Sequence, residues 1–146
     1  MNSTATGQLE LRDVSRDARQ SEFWVKRYES HKARFLRDAV PVRLGELAST
    51  LNQVRAAAEL SLRPASALRF IETSLFYVEW TQSEADAALQ KELNDLRQQL
   101  VEWLQAWPLM WDDAVKRDSL VSHANRWSQQ IIERSGLLDP ECPFSR

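Results

Sequence analysis

Between residues 89 and 107 the apolar side chains Leu89, Leu93, Leu96, Leu100, Trp103 and Trp107 recur in steps of four and three, with polar or charged residues at most positions between them. That period puts all six on one face of a helix and leaves the face apolar along its whole length, so it must be covered by another helix. Composition points the same way. Only three Gly and five Pro occur in 146 residues, and the abundant Leu, Ala, Arg, Gln and Glu are the types that lose least on entering a helix. The length suits one ordinary domain with its own core. The expectation is an all-α chain, a single domain over residues 1–146 built as an antiparallel bundle of four or five helices. Residues 1–11 are read as a flexible N-terminus and 137–146 as an irregular tail.

Prolines divide the rest of the chain. A first helix carries Trp24, Tyr28, His31 and Phe35 at i, i+4, i+7 and i+11, and Val40, before Pro41, is expected to leave the helical region and end it. Pro41 suits the first turn of a second helix with Leu44, Leu47, Leu51, Val54 and Ala58 in a heptad seam. Pro64 opens a third, in which Leu68, Ile71, Leu75 and Val78 align while Phe70, Phe76, Tyr77 and Trp80 spread around them. A helix apolar on most sides is central or faces a partner.

At TQSE, residues 81–84, Thr81 and Glu84 have capping-box spacing and Ser83 offers a second cap, which places a break before the Leu seam. The rival is one long helix, since neither Gly nor Pro interrupts residues 65–107. Ordinary helix lengths favour two. Pro108 stops the seam. Asp112 or Asp113 caps a last helix through Leu120, Ala124, Trp127 and Ile131 to Gly136, which suits the left-handed closing position with Leu137 folding back towards Ile132.

The phrase FIETSLFYVEWT at residues 70–81, the Leu and Trp seam after it and IIERSGLL near the end resemble a group of uncharacterised small helical proteins from cyanobacteria, over about residues 45–138. The resemblance implies a helical fold and a bacterial, cytoplasmic setting. It implies no activity, cofactor or functional residue.

Candidate chemistry is sparse. Metal-binding bundles use Glu-x-x-His pairs on facing helices, but Tyr28 stands three residues before His31 and Leu120 three before His123. With two His and one Cys in the chain, no protein-built metal site and no cofactor are expected. Ser119 lies one turn before His123, without an oxyanion hole or a third orienting group in view. His31 reads as a half-buried packing residue. Cys142 has no partner for an internal disulfide, which fits a reducing compartment, and no apolar run is long enough for a membrane span. The chain is read as non-enzymatic and cytoplasmic, without membrane insertion.

Binding surfaces are the remaining possibility. If the first helix starts at Arg12, then Arg12, Arg16, Arg19, Lys26, Arg27, Arg34 and Arg37 share one sector, with Phe23 among them, over roughly 38 Å. Such a stripe is first of all what the solvated outer face of any bundle helix shows; as a binding face it suits an anionic membrane surface, nucleic acid or an acidic protein, the acidic protein ahead of nucleic acid because no nucleic-acid motif accompanies it. In the hinge VEWLQAWPLMWDD, residues 101–113, Trp103 and Trp107 end the seam and are read as core. Met110 and Trp111 are expected to be exposed and available to a partner, together with Phe76 and Tyr77 of the third helix. With thirteen aromatics, six Trp, five Phe and two Tyr, the expected role is a protein–protein interaction, regulatory or adaptor module that binds another protein or a second copy of itself. The alternatives are a small-molecule-binding bundle with an aromatic-lined pocket and a binder of an anionic surface through the basic helix face.

Overall fold

A computed structural model of the chain describes residues 26–60, 63–107 and 109–141. All regular structure among these residues is helical. The chain divides into two compact units, Met1–Arg37 and Asp38–Arg146.

In the first unit residues 26–36 are helical (α1) and a turn follows at 37 and 38. Phe35 is buried, His31 half-buried and Tyr28 exposed. Lys26, Arg27, Arg34 and Arg37 are all exposed. Trp24, Arg12, Arg16, Arg19 and Phe23 lie outside the described residues.

The second unit consists of α2 (Val40–Glu59), α3 (Pro64–Gln82), α4 (Ala87–Ala106), the single turn α5 (Leu109–Asp112) and α6 (Ala114–Ser135). Both proline-opened starts occur as expected, with Pro at the first or second position of α2 and of α3. The residue held extended before α2 is Ala39, at φ −65° and ψ 156°, and Val40 is already helical, so the first break falls one residue earlier than the sequence suggests. Arg43 braces the start of α2. Its Nε donates to the Asp38 carbonyl at 2.8 Å, and Nη1 lies 2.7 Å from Glu84 Oε2, beside the α3–α4 turn.

The break at TQSE is real, and the single long helix is excluded. Its cap is different from the one expected: Thr81 is buried within α3, and Asp86 instead accepts from the Leu89 N–H at 2.8 Å. The line of α3 that faces the core also differs. Ala67, Ile71, Ser74, Val78 and Thr81 are buried, while Leu68 and Leu75 stand half-buried beside them. Ser74 Oγ is satisfied by the Phe70 carbonyl at 2.8 Å, which lets a small polar residue occupy the core without a stranded hydroxyl.

Contacts that cross between helices set their directions. Ser128 Oγ donates to the Ala48 carbonyl at 2.8 Å, and Leu137 lies against Gly45, so α6 descends as α2 ascends. Arg97 faces Glu79 at 3.7 Å and Gln90 Nε2 donates to the Gln82 carbonyl at 3.2 Å, which makes α3 and α4 antiparallel neighbours. Arg134 reaches Asp86 and Glu92, each at 3.7 Å, joining the end of α6 to the start of α4. The four long helices therefore run up, down, up and down, with α2 packed against both α3 and α6. Inside lie Leu44, Leu47, Leu51 and Val54 of α2, Leu89, Leu93, Leu96, Leu100 and Trp103 of α4, and Leu120, Ala124 and Ile131 of α6. Each such Leu contributes about 1.5–3 kcal/mol by leaving water.

The end of α6 follows the expected chemistry in part. Asp113 caps its start, accepting from the N–H groups of Val115 and Lys116, and Gly136 closes it at φ 75°. Leu137 gives its N–H to Ser135 Oγ at 3.1 Å and lays its side chain on Gly45 of α2. A Cβ at position 45 would stand 2.6 Å from Leu137 Cδ1, which accounts for a glycine inside α2.

Candidate functional site

The hinge between α4 and α6 is where the sequence places its sharpest recognition residues. Trp107 ends α4 with extended backbone, φ −73° and ψ 138°, as a residue followed by proline must. α5 then turns the chain so that its middle pair points inward. Met110 and Trp111 are each only 8% exposed. The expectation that they are open to a partner is therefore corrected: both belong to the core. Trp111 packs at a tilt on Trp107, ring centres 5.4 Å apart, and the Arg117 guanidinium lies 5.8 Å from the Trp111 ring centre. Arg117 Nη1 also donates to the Trp111 carbonyl at 2.9 Å, so one side chain covers the ring and satisfies the backbone that the turn leaves open.

Two exposed apolar side chains are their neighbours in the chain. Leu109 is 72% and Val115 77% exposed, one on each side of the buried pair, and Leu60, at the end of α2, is 69% exposed. Because α2 and α4 ascend and α3 and α6 descend, all three stand at the same end of the bundle. Sequence periodicity missed them because each is a helix-end residue outside any seam.

On α3, Phe76 is exposed at 39% and Trp80 stacks on it, centres 5.6 Å apart and planes 13° apart. Tyr77 is buried, tilted against Trp80 at 5.9 Å, so only Phe76 of this expected pair presents its ring to solvent.

His123 does not activate Ser119. Its Nδ1 lies 2.7 Å from the Ser119 carbonyl and 3.3 Å from Ser119 Oγ. A carbonyl only accepts, so Nδ1 carries the proton and cannot take one from the serine hydroxyl. Among the described residues no group of three His, Cys, Asp or Glu side chains is arranged to hold a metal ion. No helix among them is long and apolar enough to cross a membrane.

One polar atom on α6 has no counterpart. Trp127 Nε1 is buried with no hydrogen-bond partner among the described residues, although the ring continues the Leu120, Ala124 and Ile131 line. With no bond to lose, Trp127→Phe is expected to change folding stability by less than about 1 kcal/mol, measured by urea unfolding. A loss of more than about 2 kcal/mol would show that the indole is held by more than the packing that phenylalanine keeps.

Protein-family models, curated proteins and solved structures give no match to this chain. The resemblance to the cyanobacterial group therefore gains no support from them.

Proposed function

We propose that the chain is a non-enzymatic helical interaction module, which binds another protein or a second copy of itself through the bundle end carrying Leu60, Leu109 and Val115. One observation carries this reading. Leu109 and Val115, 72% and 77% exposed, flank a hinge whose own backbone is pinned by Asp113 and Arg117, so the two side chains are held out by a rigid support. Isolated exposed apolar residues are common on any protein, but three at one end of one bundle form a surface that binding can dry. A preformed surface of this kind loses little entropy on association. Phe76 lies on α3 away from this end and is the second candidate contact.

The test is the double substitution Leu109→Lys with Val115→Lys. Both sites are exposed, so the unfolding midpoint is expected to stay within about 0.5 kcal/mol of the parent. Capture of partner or self-association, read by native mass spectrometry of protein purified from its host, is expected to be lost. Unchanged capture in the folded double variant would remove this surface from consideration.

A further inference from the structure

We draw no further inference here: the strongest candidate, the apolar end of the bundle where Leu60, Leu109 and Val115 stand exposed, already carries the proposed interaction, and nothing in the structure shows whether a second copy or another protein covers it.

Discussion

Truncating Trp103 to alanine is expected to cost about 3–5 kcal/mol of folding stability, and Trp111→Ala a loss in the same range. Trp103 is the last buried member of the α4 seam, and its indole fills the bundle at the level where α5 turns. Trp111 is equally enclosed, with Trp107 on one side and Arg117 on the other. Removing either ring leaves a void that helices pinned by Asp113 and Arg117 cannot collapse to fill, so the loss includes the cavity as well as the transfer of the ring to water. Urea unfolding followed by circular dichroism measures both. If Trp111→Ala leaves the midpoint unchanged, the hinge is not part of the core.

The second large effect is expected at Arg43. Arg43→Ala should destabilise by about 2–4 kcal/mol, because the charge-assisted bond to the Asp38 carbonyl goes and the buried stem of the side chain goes with it. The ion pair adds less than its 2.7 Å separation suggests, since Glu84 is half exposed and returns readily to water. Arg43→Met separates the contributions: it restores the stem without the donors. A methionine variant as stable as the parent would show that packing alone accounts for the contribution of Arg43.

Much of the architecture could be read from residue spacing, and the exceptions have definite causes. The α4 seam, the proline starts, Asp113 and Gly136 all act over one or two turns, where side-chain period and backbone chemistry are decisive. The α3 core line differs because hydrophobicity points to Leu68 and Leu75, whereas close helix approach favours Ala67, Ser74 and Thr81, whose small volumes carry little apolar signal. The cap at Asp86 was hidden by the capping-box spacing five residues earlier.

The hinge departs furthest from what residue spacing suggests, and it bears on the candidate site. Met110 and Trp111 follow Pro108, and a chain that has just left a helix normally shows its side chains to water. Here a four-residue turn restarts at once, so consecutive residues 110 and 111 both face inward while Leu109 and Val115 face out. A turn that short has no periodicity to read. The basic face is only partly placed, since Lys26, Arg27, Arg34 and Arg37 are described and exposed, whereas the rest of the stripe lies outside the described residues.

The seat of Leu137 on Gly45 has a consequence for the order of events in folding. α2 and α6 share the most extensive helix pairing of the second unit, yet its members are the furthest apart in sequence. The α3–α4 hairpin closes across a turn of four residues, so the entropy of bringing its ends together is small and its contacts form locally. The α2–α6 pairing must wait for that hairpin to be spanned, and on a ribosome it waits until residue 137 has been made. During that interval the apolar face of α2 is uncovered, which is the state in which a newly made bundle is most open to aggregation and most in need of a chaperone.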